Sequence, residues 1–137
     1  MRRAARTPLP PTTVVDQPSF PCCKYTTAHD LGILLVSLTL AARGHGPALR
    51  HGITAREARV ALWLLVHAAY PGLVRPAVAF PVGHKAGWLP GIQHDAALVF
   101  SPRGTLVAVF MNYAASGVSY SRVLAADGGV VRLALKA

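Results

Sequence analysis

The first stretch with chemical potential is Gly83-His84-Lys85-Ala86-Gly87, which sets a lysine between small residues and beside a histidine. An ammonium group on such a stretch can hold an anionic part of a substrate, and a flanking glycine lets a ligand lie close to the backbone. The alternative for Lys85 is a solvated lysine at the end of a strand. His84 either orients Lys85 or is a half-buried strand residue, and we favour the second interpretation.

A second pair, His94-Asp95, joins an imidazole to a carboxylate. Such a pair can ligate a metal or relay a proton, but metal sites need three or four ligands and no further ligand lies close by. We therefore predict no metal and no cofactor, and assign Asp95 to a turn or to a pair with an arginine. The adjacent Cys22-Cys23 would form a strained mutual disulfide and receive no function.

The composition favours a folded domain with a buried core. The chain has 137 residues, of which 53% are hydrophobic and only 14% charged, whereas disordered chains are poor in apolar residues. It carries 14 lysines and arginines against 5 acids. A nucleic-acid-binding face concentrates its basic residues, and here they are spread along the chain. The basic composition keeps a small nucleic-acid-binding protein as an alternative. Because the basic residues are not clustered, we expect no nucleic-acid binding.

The chain divides into two parts. Residues 1–24 are predicted to be a disordered tail rich in proline and arginine, because proline removes a backbone donor and disrupts regular structure. Residues 25–137 are predicted to form the domain. The longest apolar run, 31–42, is shorter than the about 20 residues of a membrane helix, so it predicts a core helix and no membrane partner. No signal peptide is recognisable, and the compartment stays unassigned.

Two helices begin at capping signals. Thr27 is followed three residues later by Asp30, and Thr54 by Glu57, so each hydroxyl and carboxylate can satisfy free backbone N–H groups at a helix start. Leucines at helical spacing follow the first signal. The second helix is apolar on most of its circumference, which predicts burial on most sides, with Trp63 in the core.

The residue pattern after the second helix becomes typical of β-strands. Residues 94–100 and 105–112 predict a β-hairpin around the turn Ser101-Pro102-Arg103-Gly104, and residues 74–82 lead into an earlier strand. Residues 120–135 have helical spacing again. The order helix, helix, strand, strand, strand, helix predicts an α+β fold in which helices flank an antiparallel three-stranded sheet.

With these elements in place, the chain resembles the C-terminal half of serine β-lactamases of the class A type and related penicillin-recognising hydrolases. Residues 82–99, VGHKAGWLPGIQHDAALV, are similar to the family's Lys-Thr-Gly strand, its turn and the Asp-Ala-Ala start of the next strand. Residues 101–110 are similar to the hairpin that follows. Residues 26–31 are similar to the helix start after the omega loop. The resemblance covers roughly residues 25–135.

The resemblance implies a substrate-binding strand. In this family the lysine of that strand meets the substrate carboxylate, opposite a serine nucleophile in Ser-x-x-Lys and a Ser-Asp-Asn motif. Lys85, Ala86, Gly87 and Trp88 would then bind a β-lactam or a peptidoglycan-like molecule. The alternative for Trp88 is a packing role. Ala86 departs from the family pattern because the usual hydroxyl is missing, which removes a hydrogen bond to a charged partner worth about 1.5–3 kcal/mol.

The catalytic motifs are absent from the 137 residues. None of the three lysines, Lys24, Lys85 and Lys136, follows a serine by three positions, and Ser-Asp-Asn does not occur. In the family, the first helix and two strands belong to the N-terminal half, so we expect an exposed apolar edge and face. These observations predict a β-lactamase-like hydrolase chain that is inactive alone. It is either a fragment, the product of a misplaced start, or a remnant that needs a partner such as a separate N-terminal half. Whether the chain is itself an enzyme stays open, with a non-catalytic binding module as the alternative.

Overall fold

A computed structural model describes residues 26–113 and 119–137 and confirms the predicted α+β class. Its helices and strands, in chain order, are α1 (Ala28–Ala42), α2 (Pro47–Arg50), α3 (Ala55–Val66), a 3₁₀ turn (Arg75–Ala77), β1 (Val82–Leu89), β2 (Ile92–Ser101), β3 (Gly104–Tyr113) and α4 (Tyr120–Lys136). The sequence did not predict α2 or the 3₁₀ turn. The predicted tail, residues 1–24, lies outside the described residues.

Both predicted capping boxes are present. The Thr27 hydroxyl accepts the Asp30 N–H at 3.1 Å while the Asp30 carboxylate accepts the Thr27 N–H at 3.2 Å. Thr54 and Glu57 repeat the exchange at 3.2 and 2.8 Å. Hydrogen bonds from the backbone and side chain of Thr54 lower the pKa of Glu57. Both helix starts are therefore set by local sequence.

The three strands form one antiparallel sheet in the order β1-β2-β3. A two-residue turn at Pro90-Gly91 joins β1 to β2, and the strands close on the pair Leu89 and Ile92. Gly91 has a φ of 75°, the left-handed conformation that a type II turn requires after proline. Because the turn has two residues, it fixes the register of the whole β1–β2 ladder.

Side chains alternate between the two faces of the sheet, and each face buries its own core. On one face, α1 and α3 pack against Ala96 and Leu98 of β2 through a cluster that includes Leu35. On the other face, Val131 of α4 packs with residues of β1, β2 and the segment before β1. The buried members of that second core are Val74, Val82, Ala97, Val99 and Val131.

The prediction that α3 is buried on most sides is wrong. Only its inner side is covered, with Ala58 fully buried and Leu62 and Leu65 against the sheet. Val60, Trp63 and Leu64 are 52%, 58% and 57% exposed, so Trp63 is not a core residue. Within the described residues, α1 and β1 are the main elements packed on α3, and they cannot cover a helix on all sides.

The helices of the described ranges include none that combines the length and the apolar character needed to cross a bilayer.

Candidate substrate-binding edge

The outer edge of β1 carries unpaired backbone groups. The Phe100 N–H donates to the Pro81 carbonyl at 3.0 Å, which makes this opposed pair a hydrogen-bonded one. Bonded and non-bonded pairs alternate along an antiparallel ladder, so the backbone groups of Lys85 and Gly87 face β2. Those of Ala86 and Trp88 point away from β2. In the described sheet no strand pairs with this outer edge.

The Lys85 side chain is exposed and reaches this edge. Its ammonium donates a hydrogen bond to the Ala86 carbonyl, one of the outward-pointing backbone groups. The ammonium is therefore held by a single neutral acceptor at the rim of the sheet. A carboxylate is a stronger acceptor for an ammonium than a carbonyl, so an anionic ligand can replace this contact.

The other three predicted binding residues contribute different surfaces. Ala86 is only 7% exposed, so it offers its backbone and not its methyl group. Gly87 faces open space, with no atom within 4 Å of the position a Cβ would take. Trp88 is 53% exposed. The edge thus presents a cation, an open backbone and an exposed indole in succession.

Beneath this edge lies a buried histidine–aspartate pair that the sequence interpretation did not anticipate. His84 Nδ1 lies 2.9 Å from Asp95 Oδ1, and the two residues are 0% and 1% exposed. Nδ1 carries the proton in this bond because the carboxylate accepts, which leaves Nε2 as an acceptor in a neutral ring. Nε2 has no partner among the described residues.

Asp95 also holds the segment before β1. Its Oδ2 accepts the Leu73 N–H at 2.7 Å and the Val74 N–H at 2.9 Å. The prediction that Asp95 anchors a turn is confirmed, and the alternative of an arginine partner is wrong because the partner is His84. The prediction of a half-buried His84 is also wrong, since the residue is 0% exposed. His84 does not orient Lys85, because alternate strand positions face opposite sides of the sheet.

Gly72 is the tightest point of this arrangement. Its φ is 64°, and a Cβ there would lie 2.5 Å from Asp95 Oδ2 and 2.6 Å from His84 Nδ1. The Tyr120 hydroxyl donates to the Gly72 carbonyl at 2.5 Å from the start of α4. Burial, followed by the nearby charges of Tyr70 and Asp95, raises the pKa of Tyr120. The loop is therefore fixed from two sides.

The same loop positions Trp88. Tyr70, two residues before Gly72, stacks on the Trp88 ring with centroids 4.1 Å apart and planes 21° from parallel. Contacts thus run from the buried His84–Asp95 pair through the loop to an exposed aromatic at the edge. The sequence contained one signal for this pair: a two-residue turn at Pro90-Gly91 sets His84 and Asp95 on the same face of adjacent strands.

No metal centre forms within residues 26–113 and 119–137, where no three histidine, cysteine or acidic side chains converge. His94 Nδ1 instead accepts the Asn112 N–H at 3.1 Å. A cavity of about 250 Å³ lies between α4 and the end of the sheet that carries the Pro90-Gly91 turn, where the Asn112 amide donates to Asp127 at 2.7 Å. Burial raises the pKa of Asp127, the Asn112 hydrogen bond opposes this, and the Asp95 charge adds to it.

The fold is similar to that of a known class of protein. The solved structures include a match to a beta-lactamase from Sphaerobacter thermophilus DSM 20745, with a TM-score of 0.63 and 23% sequence identity. The match covers 82% of this chain but 40% of that protein, so the chain spans less than half of its length. At 23% identity, this similarity shows that the two proteins share a fold and shows nothing more.

The sequence itself gives the family. A model of the beta-lactamase enzyme family matches residues 10–134, and this chain therefore belongs to that family. The predicted resemblance of the chain to this family is confirmed. A search of the curated proteins found no match.

Proposed function

We propose that the outer edge of β1 is the substrate-binding wall of a β-lactamase-like hydrolase and that this chain does not hydrolyse β-lactams by itself. The observation that carries the proposal is the Lys85 ammonium, bound to the outward Ala86 carbonyl at an edge with no strand beside it in the described sheet. The ligand class is a β-lactam or a peptidoglycan-like molecule with a carboxylate.

Each group at the edge has a role in this binding mode. The substrate carboxylate replaces the Ala86 carbonyl as the acceptor of the Lys85 ammonium. The ring system lies over Gly87, where no side chain obstructs it. The outward N–H of Trp88 donates to a carbonyl oxygen of the ligand, as backbone N–H groups do for the oxyanion of acyl transfer.

The sequence contains the proposed binding strand but no motif for a serine nucleophile. Acyl transfer by a serine hydrolase needs a serine whose proton is removed by a nearby base. The 137 residues contain neither Ser-x-x-Lys nor Ser-Asp-Asn. A separate N-terminal half would provide both motifs, and the exposed Val60, Trp63 and Leu64 of α3 offer an apolar surface for such a partner.

Two measurements on the purified chain test the proposal. With a chromogenic cephalosporin, we expect no turnover above the background of an empty-vector preparation. By calorimetry, benzylpenicillin should bind, and Lys85→Ala should weaken the affinity about 10- to 100-fold, the equivalent of one charged hydrogen bond. Lys136→Ala is the matched control, because this exposed lysine lies at the end of α4.

The outcomes separate the two parts of the proposal. Turnover that Lys85→Ala abolishes would contradict the predicted inactivity of the chain. Equal affinity of benzylpenicillin for wild type and Lys85→Ala would contradict the assignment of the cation.

A further inference from the structure

The outer edge of β3 is a second open edge of the sheet. β3 is the last strand in the order β1-β2-β3, and no strand of the described residues pairs with its far side. Whereas β2 buries residues 95–99, every residue of β3 is half-buried or exposed. We propose that this edge pairs with the same edge of a second copy of the chain. This dimer goes beyond the proposed function and needs no ligand.

The backbone of β3 presents free donors and acceptors along this edge. The backbone groups of Phe100 face β1, so those of the preceding residue, Val99, face β3, where Val99 is opposed to Leu106. Leu106 and every second residue from it therefore bond to β2. The residues between them point their N–H and C=O groups away from the sheet, and these are Thr105, Val107, Val109 and Met111. An antiparallel strand of another chain can bond to this row.

An apolar groove lies beside these outward groups. It runs between α1 and β3 as two adjoining open cavities of about 240 and 390 Å³, both lined by Val36 and Val107. No described residue of β2 lines either cavity, so the groove is on the outer side of β3. Val36 is 44% exposed. Alternate side chains of an added strand point to one face of the sheet, so they enter this groove and bury its apolar walls.

The charges make a second copy the occupant that fits. All ten residues of β3 are uncharged and none is proline. The strand therefore lacks the lysines and prolines that keep edge strands from pairing with one another. The chain has a formal net charge of +9, so two copies repel each other wherever their charged surfaces meet. At this edge two neutral strands meet, whereas an acidic partner has no cation on β3 to bind.

Two-fold symmetry keeps the nearest cations apart. Antiparallel pairing of two identical strands gives a closed dimer, and it places the Gly104 end of one strand beside the Tyr113 end of the other. Arg43, which lines the groove with Gly104, and Arg103 lie at one end only, so the arginines of the two copies are about 30 Å apart along the strand. The joined sheet has six strands in the order β1-β2-β3-β3-β2-β1. Both β1 edges stay free for substrate.

Sedimentation equilibrium of the purified full-length chain tests the pairing. Wild type should have twice the mass of one chain at micromolar concentration. Added salt should lower the dimer dissociation constant, because it screens the repulsion between two cationic copies. Met111→Lys should raise this constant about tenfold, because the dimer then holds two added charges at the paired edge. Val60→Lys is the matched control, since it adds the same charge to an exposed apolar residue of α3.

Amide hydrogen exchange identifies the strand that pairs. The outward N–H groups of Val107 and Val109 should exchange more slowly as the protein concentration is raised, because they are bonded only in the dimer. The inward N–H groups of Leu106 and Ala108 bond to β2 in either state. Their exchange should be slow at every concentration, which makes them the internal reference.

Each outcome has a defined meaning. A monomeric wild type overturns the dimer and leaves the edge to a strand of a separate N-terminal half. A dimer weakened by Val60→Lys and not by Met111→Lys overturns the pairing of β3, and far-ultraviolet circular dichroism verifies that both variants are folded. Slow exchange of Val107 and Val109 at every concentration also overturns it, because a segment of the same chain then covers the edge. None of these results affects the β1 edge, which is tested by ligand binding.

Discussion

Gly72→Ala probes the support of the binding edge. Gly72 has a left-handed φ of 64°, and an added Cβ would lie 2.5 Å from Asp95 Oδ2 and 2.6 Å from His84 Nδ1. The loop, the carboxylate or the imidazole must therefore move. We expect a large loss of stability and, because the loop carries Tyr70, a loosened stack on Trp88.

The size of the effect follows from two contributions. An alanine in the left-handed region costs about 1–2 kcal/mol. Loss of one hydrogen bond to the Asp95 carboxylate adds about 1.5–3 kcal/mol. The sum, about 2.5–5 kcal/mol, is a large fraction of the about 5–15 kcal/mol that stabilises a typical domain. With a urea dependence of about 1–3 kcal/mol per molar, the unfolding midpoint should fall by about 2 M.

Gly52→Ala separates the two contributions. Gly52 also has a positive φ, 88°, but nothing lies within 4 Å of its Cβ position. This variant should lose only the backbone part, about 1–2 kcal/mol. Urea unfolding followed by circular dichroism measures both variants. If Gly72→Ala were no less stable than Gly52→Ala, the tight packing of Gly72 on the His84–Asp95 pair would be refuted.

Four further outcomes are expected. Asp95→Asn should lower the free energy of unfolding by about 1–3 kcal/mol, because an amide cannot replace the charged acceptor of three hydrogen bonds; an unchanged urea midpoint would contradict this. The raised pKa of Asp127 means that the folded state holds this proton more tightly than the unfolded chain. Its contribution to stability is therefore full below the ordinary value of 3.8 and is lost as pH rises through the raised pKa, so Asp127→Asn should gain stability relative to wild type as the pH rises above 3.8; parallel stability–pH curves would disprove it. Gly129→Ala should stabilise the protein by about 0.5–1 kcal/mol, because the residue is inside α4 and its Cβ position faces open space. Gly128→Ala should destabilise the protein, because its Cβ would lie 2.6 Å from that of Ala77. Equal urea midpoints for the two variants would contradict the packing of α4. Filter binding at moderate salt should detect no nucleic acid, since the basic residues are spread along the sequence and not clustered; retention that falls steeply with added salt would reverse this prediction.

Local signals predicted most of the fold. The Thr27–Asp30 and Thr54–Glu57 boxes act within three residues, so the sequence alone locates both helix starts. The turn at residues 101–104 likewise predicted the second hairpin. Such interactions need no knowledge of tertiary structure.

Non-local contacts were harder to predict. Apolar residues all around α3 do not indicate which side packs, and Trp63 was assigned to the core although only the side with Ala58 and Leu62 meets the protein. His84 and Asp95 meet only after the hairpin register is set, and the Leu73 and Val74 amides join them from a separate loop. The assignment of Lys85 to the binding edge came from the family motif, because no periodicity distinguishes a binding lysine from a solvated one.

Amide chemical-shift mapping of the ¹⁵N-labelled chain titrated with benzylpenicillin tests the central claim most directly. We expect the largest shifts at the outward N–H groups of Ala86 and Trp88, with smaller shifts at the inward Lys85 and Gly87, and we expect Lys85→Ala to reduce them all. Shifts centred on α4 or the outer side of α3, with β1 unchanged, would contradict the placement of the substrate-binding wall.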